Sequence, residues 1–336
     1  MSKNTKVGTV LGNTKVVAVG LDDARRLITF HDDFIKNQSK FDRQSRLRLP
    51  SRSHTVSEDD YLTFLKTQVR PWSAGEIDAL KTMFESIDAK FAGLRVHLPD
   101  TVHLIKTSGQ EEGFSAYTRR DDTIVMSETK VALINPGAGG DALHPHPNLG
   151  ALEDIYIHEF FHLISKNNPD LRHGLYGQIG YRQFDQPIAL PETPWRGETL
   201  ATMKITNPDT PVLNVVIEME LPDARPGEAT PLMPVLLAKE SYESGIFFDH
   251  LDWVFLVLDE TAAGWQLRLD SDGEPIVVPS DSAGLMEKYK AAVGQNISEE
   301  IFHPDEILAQ NFVLVINEPS LGILNGIADA IHQDAR

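Results

Sequence analysis

The sequence predicts an α+β fold: a small sheet backs a buried helix, and a C-terminal helical part carries a β-rich insertion. Three observations lead there. Val-, Ile- and Thr-rich runs at 101–106 and 123–133 read as strands and precede a Gly- and Pro-rich stretch at 135–148. The segment 149–166 carries Leu152, Ile155, Ile157, Phe160, Phe161, Leu163 and Ile164, so it is a helix apolar on most sides and belongs inside the protein. From 211 to 278 the pattern turns to β, with runs at 212–219, 232–237, 253–259 and 265–269 and a turn at Ala262-Ala263-Gly264.

The remaining elements follow in order. Asn4-Thr5-Lys6-Val7 and Asn13-Thr14-Lys15-Val16 repeat one phrase around Gly12, as in a hairpin. Residues 36–52 gather Lys36, Lys40, Arg43, Arg46, Arg48 and Arg52 against Asp42; we read them as a solvated basic loop, with a removable or inhibitory segment as the alternative. A helix at 57–69 is followed by one opened by Ser73 with Glu76 three residues on, the capping-box pattern, in which Leu80, Phe84 and Ile87 share a face. Asn167-Asn168-Pro169 closes the apolar helix, and helices return at 282–293, 304–316 and 319–332. The expected divisions are a hairpin and basic segment over 1–56, a first subdomain over 57–170, the β-rich insertion over 171–280 and a helical subdomain over 281–336.

Composition narrows the functions. With 41% apolar and 24% charged residues in 336, the chain has the balance of a globular protein with a sizeable core. A net charge of −18 repels phosphate backbones and anionic lipid, so neither nucleic acid nor a membrane surface is expected as a partner. No apolar run approaches a membrane span, and the first residues lack a basic start followed by an apolar stretch. The default location is therefore the cytoplasm, with secretion left open. There is no cysteine, so any metal must be held by His and carboxylate side chains.

His158-Glu159-Phe160-Phe161-His162 is HExxH in the middle of the buried helix. Residues i and i+4 lie one turn apart on one face, so both imidazoles can point at one ion at about 2.0–2.1 Å. Glu159 is rotated about a quarter turn away, within reach of a water on the metal but not of the metal itself. Zn2+ suits this donor set and brings the pKa of its water to about 7. Three polar groups on an apolar helix also need partners, which a bare core does not supply.

On this motif the chain resembles the zincin metallopeptidases, which place HExxH on a central helix behind a small sheet. The resemblance implies attack by zinc-activated water on the carbonyl of a peptide or small amide, with Glu159 as general base. The metzincin branch needs a histidine at position 168, which is Asn168. The gluzincin branch, with a later glutamate followed by a small residue three places on, fits Glu306 with Ala309 and Glu198 with Ala201. Glu198 is nearer in sequence but lies among Pro191, Pro194 and Pro208. Glu306 opens a helix behind Pro304, and we take it as the third ligand because a ligand needs a firm support. The helix dipole alone also accounts for a glutamate in a first turn. His303 is a further candidate.

Tyr242 is the candidate oxyanion donor, chosen over His250, His173, Tyr176 and Tyr181 because it follows a strand in the β region. Asp154, one turn before His158, is the candidate partner of its outer ring nitrogen. His144-Pro145-His146-Pro147 reads as loop rather than as a second metal site. The alternatives to a peptidase are a zincin-like enzyme acting on a small-molecule amide, a non-catalytic relative that binds without cutting, and a structural protein that holds no metal.

Overall fold

The computed structural model describes residues 3–50, 55–134, 149–221, 225, 227–294, 301–318 and 330–331, with only the backbone at 149 and 150. The Gly- and Pro-rich stretch with His144 and His146, and nearly all of the helix expected at 319–332, lie outside the described residues. The chain is α+β. It divides into two units, the first comprising residues 1–35, 57–172 and 309–336 and the second 36–56 and 173–308. The segment 1–56 is thus shared between the units, and residues 281–308 go with the β-rich part.

The first unit opens with the hairpin β1 (Thr5–Val10) and β2 (Thr14–Ala18), followed by α1 (Leu21–Ile28). It continues after residue 56 with α4 (Glu58–Gln68), β3 (Val69–Arg70), α5 (Ala74–Lys90), β4 (Thr101–Thr107), β5 (Tyr117–Arg119), β6 (Thr123–Ser127), α6 (Glu128–Val131) and α7 (Leu149–Asn167). The sheet runs β1-β2-β4-β6-β5, with β3 pairing antiparallel to the end of β4; the β2–β4 and β4–β6 pairs are parallel. Ser57 and Ser73 each cap a helix in a reciprocal capping box, with Asp60 and Glu76, and Ile77, Leu80, Phe84 and Ile87 of α5 are buried. The strand expected over 123–133 ends at Ser127. The Ser127 hydroxyl accepts the N–H of Lys130 and Glu128 sits in the first turn, so local capping turns the chain into α6.

Helix α7 is as buried as its composition demands: Leu152, Tyr156, Ile157, Phe160, Phe161, Leu163 and Ile164 are at most 1% exposed. Phe84 meets Tyr156 and Phe160 at ring-centroid distances of 5.3 and 6.1 Å, and Phe91 meets Phe160 at 5.7 Å, which fixes α7 on α5. Asn168 exchanges hydrogen bonds with the backbone of His97, its amide oxygen accepting from the N–H and its NH2 donating to the carbonyl, both at 2.8 Å. Arg119 at the sheet edge is 1% exposed; it donates to both Asp32 oxygens at 2.7 and 2.9 Å and to the Ile28 and Phe30 carbonyls at 3.0 Å, clamping the end of α1.

The second unit holds α3 (Lys40–Leu47), reached through α2 (Asp33–Asn37), and then α8 (Pro169–Gln178), which begins at the last residues of the first unit. It continues with β7 (Tyr181–Gln183), β8 (Pro194–Trp195), β9 (Glu198–Thr199), α9 (Leu200–Met203) and β10 (Val215–Glu220). The long strands β11 (Ala229–Ala238) and β12 (Leu251–Thr261) follow, then β13 (Gly264–Leu267), β14 (Val277–Pro279) and α10 (Leu285–Val293). Its antiparallel sheet runs β13-β12-β11-β10-β7, with β14 also on β12. Val216, Met233, Val235, Leu237, Val254, Leu256 and Leu258 form one core cluster.

Over its described residues, 36–50, the basic stretch is largely helical and not a solvated loop. In α3, Phe41, Asp42, Gln44, Ser45 and Arg46 are all buried. The Arg46 and Asp42 side chains are 0% exposed and pair at 2.6 Å; Asp42 also accepts the Thr206 N–H at 3.0 Å, and Arg46 donates to the Thr206 carbonyl at 3.0 Å. Lys40 pairs with Glu198 at 2.9 Å, and Arg43 donates to the Val56 carbonyl at 3.1 Å. Arg46 and Asp42 are thus satisfied by each other and by Thr206, while Lys36 and Arg48 remain exposed.

The last element, α11 (Pro304–Asn317), starts in the second unit and continues into the first. Among the described residues no helix is long and apolar enough to cross a membrane.

Two substitutions test these contacts. A Cβ on Gly8 would stand 2.5 Å from the Phe84 Cβ, so Gly8→Ala should lower stability by about 1–3 kcal/mol through overpacking of β1 on α5, read as a lower urea midpoint. Arg46→Met strands Asp42 without its counter-ion and should cost about 3–5 kcal/mol. An unchanged midpoint would mean that the pair does not hold α3 in place.

Candidate metal centre

Helical spacing puts His158 and His162 on one face of α7, where their rings lie 4.8 Å apart. Their Nε2 atoms are 3.1 Å apart. Two nitrogens bound at about 2.0–2.1 Å with a tetrahedral angle between them stand about 3.3–3.4 Å apart, so the two imidazoles already sit at nearly the spacing that zinc requires. His162 is 0% and Glu159 4% exposed, in surroundings where a bare polar group is costly.

Helix α11 supplies the third side chain. Its Phe312 packs on Phe91 and on Phe161 of α7, at 5.7 and 5.5 Å, which sets the helix against α7. Gln310 then lies with its amide nitrogen 3.2 Å from the His158 Nδ1. Glu306 is one turn before Gln310, hence on the same face. One ligand atom from each of His158, His162 and Glu306 lies within 4.8 Å of the other two. Two imidazoles and one carboxylate are a donor set that zinc takes readily, with a fourth position left for water or substrate.

The start of α11 is held firmly. His303 precedes Pro304 and its Nδ1 accepts the Asp305 N–H at 3.1 Å, so it acts as a helix cap and is not among the grouped ligands. The Asp305 carboxylate accepts the Tyr176 hydroxyl at 2.9 Å. Asn207 donates its NH2 to Glu306 Oε1 at 2.6 Å, and its own amide oxygen accepts the Asp209 N–H at 2.9 Å, which fixes the orientation of that amide.

Several expected residues have other roles. Glu198 lies on β9 and pairs with Lys40, so Glu306 and not Glu198 joins the histidines. Tyr242, expected as the oxyanion donor, is buried in a cluster with Phe41, Met203, Ile205 and Phe247, and its hydroxyl donates to the Gly245 carbonyl at 2.8 Å. Burial raises its pKa, which reinforces a packing role. The Asp154 carboxylate accepts the Asn317 amide at 2.7 Å, whereas the residue against the outer nitrogen of His158 is Gln310. Tyr181 is paired with the Tyr289 hydroxyl, His250 bonds the Ser244 carbonyl and His173 is exposed.

The sequence reading missed Gln310 and Asn207. The i,i+4 spacing from Glu306 was a usable signal for Gln310; nothing local marks Asn207. Comparison with protein-family models, with curated proteins and with solved structures finds no match to this chain.

Metal content tests the ligand set. Zinc measured by elemental analysis should be about one per chain in the wild type and in Glu198→Ala, and should be lost in Glu306→Ala. Zinc retained in Glu306→Ala and lost in Glu198→Ala would reverse the assignment.

Proposed function

We propose that the chain is a zinc-dependent hydrolase of the zincin type that cleaves a peptide bond. The observation that carries this reading is the meeting of an HExxH pair at zinc spacing with Glu306 on a second helix. His158, His162 and Glu306 would hold the ion. A zinc ion held there supplies a fixed positive charge that acidifies a water and polarises a substrate carbonyl.

The protein's own part of the reaction is proton handling and positioning. Glu159 follows His158 on α7, is 4% exposed, and has a carboxylate oxygen within 4.8 Å of a ring nitrogen of His162 and an oxygen of Asp209. Its carboxylate takes a proton from water as the water oxygen bonds to the carbonyl carbon. The C–N bond then breaks, and the proton passes from Glu159 to the leaving nitrogen, giving a carboxylate and an amine. Burial of α7 on its Phe84 and Phe91 side keeps Glu159 from wandering, so the transfer distance is set before substrate arrives. The net charge of −18 favours neutral or cationic peptides over acidic ones.

Glu159→Gln tests the reading because it keeps shape and removes the base. On a peptide library read by mass spectrometry, the wild type should generate new termini and Glu159→Gln should lose about 10²–10⁴-fold in rate with its zinc retained. Equal cleavage by the variant overturns the mechanism. A zinc-loaded wild type that cuts no peptide in the library overturns the substrate class.

A further inference from the structure

We propose that Gln310 is a positioning residue for the metal: its side-chain amide accepts the Nδ1–H of His158 and holds that imidazole in the tautomer whose Nε2 is free to ligate. The proposal rests on His158 being a metal ligand, as argued above.

His158 and His162 face each other through Nε2, so Nδ1 of His158 is the outer nitrogen. A neutral imidazole carries one proton; if Nε2 is to bind an ion, that proton must sit on Nδ1 and needs an acceptor there. Ligand histidines are regularly oriented in this way, most often by a carboxylate or a backbone carbonyl. Asp154, one turn back on α7, receives the Asn317 amide. The Gln310 amide nitrogen stands 3.2 Å from Nδ1, and a half-turn of the terminal torsion brings the amide oxygen to the same place as the acceptor of Nδ1–H.

An amide differs from a carboxylate in two respects that matter here. It presents NH2 on one side and oxygen on the other, so a half-turn of its terminal torsion exchanges donor for acceptor without moving the helix. With NH2 toward His158 it complements a bare Nδ1, whose ring then keeps its proton on Nε2. With oxygen toward His158 it complements Nδ1–H and leaves Nε2 for the ion. Gln310 thus serves both states of the ring and changes face as the metal is taken up. It is also neutral. Glu306, Glu159 and Asp209 already place three carboxylates around the two histidines, and a neutral amide adds no further charge to this buried site.

Helix α11 carries Glu306 and Gln310 one turn apart, as α7 carries His158 and His162. The ligand and the group that orients the opposite ligand therefore move as one body, set by Phe312 against Phe91 and Phe161.

The test uses full-length protein stripped of metal and titrated with zinc against a chromophoric chelator, in the wild type, Gln310→Leu and Gln310→Glu. Gln310→Leu should bind zinc about 10–100-fold more weakly. Gln310→Glu, which keeps an acceptor at the same reach, should recover most of that loss. In ¹⁵N-histidine spectra of the zinc forms, a slowly exchanging Nδ1–H of His158 should appear in the wild type and in Gln310→Glu and vanish in Gln310→Leu. Metal-free melting temperatures serve as the folding control. Wild-type zinc affinity in Gln310→Leu overturns the proposal. So does an equal loss in both variants, which would mark a packing role only. Failure of the underlying site looks different: the wild type would then bind zinc no more tightly than His158→Ala.

Discussion

The contact of Phe312 with Phe91 and Phe161 is the constraint on which the candidate centre depends. One helix brings the two histidines to one face. Glu306 comes from another helix, far along the chain, and a carboxylate misplaced by an ångström no longer shares an ion with them. Edge and tilted ring contacts of this kind contribute about 0.5–1.5 kcal/mol each beyond the area they bury, and they fix a rotation about the helix axis as well as a distance. That rotation is what presents Glu306 and Gln310 to α7. Behind α7, Phe84 and Phe91 provide the opposing surface, so the helix with the motif is gripped from the α5 side and from the α11 side.

What the sequence made legible were the features whose meaning is local. HExxH, the apolarity of α7, the capping box at Ser73 and the placing of Glu306 behind Pro304 are each written within a few residues, and each appears where expected. The α+β class followed from the same patterns, as did the hairpin around Gly12 and the main strands of the β-rich part. Features that depend on a distant partner did not show. Asn207 and Gln310 are ordinary amides until Glu306 and His158 are brought beside them. Tyr242 had the right chemistry for an oxyanion donor, but its hydroxyl is occupied by a carbonyl three residues on and its ring by Phe41. The basic run at 36–52 read as solvent-facing because its acidic and carbonyl partners lie near residue 200. At Ser127 two local signals competed, and the helix cap prevailed over the β-branched run before it.

Among the described residues, each unit contains one buried arginine joined to an aspartate. Arg119 and Asp32 close the first unit over the end of α1, and Arg46 and Asp42 close the second over Thr206. Such pairs return little net stability, since desolvating both charges offsets most of their attraction. Their geometry is demanding, however: Arg119 reaches two carbonyls as well as both oxygens of Asp32, and Asp42 receives the Thr206 N–H while Arg46 takes the carbonyl of the same residue. A register slip at either place would leave a charge buried alone, so the pairs discriminate against near-native arrangements more than they deepen the native one.

The lodging of α3 among residues that follow it by some 160 positions has a consequence for synthesis. A ribosome adds about 5–20 residues per second, so Asp42 and Arg46 emerge roughly 8–30 s before the strand-rich segment that receives them. During that interval the amphipathic helix has no home, and the hairpin before it must wait as well for the sheet that β4 completes. Glu306 emerges later still. The nascent chain therefore displays HExxH long before the residue that would complete a trap for an ion, and any hydrolytic capacity arrives only as the last helices join, after the rest of the chain has had time to fold out of its own reach.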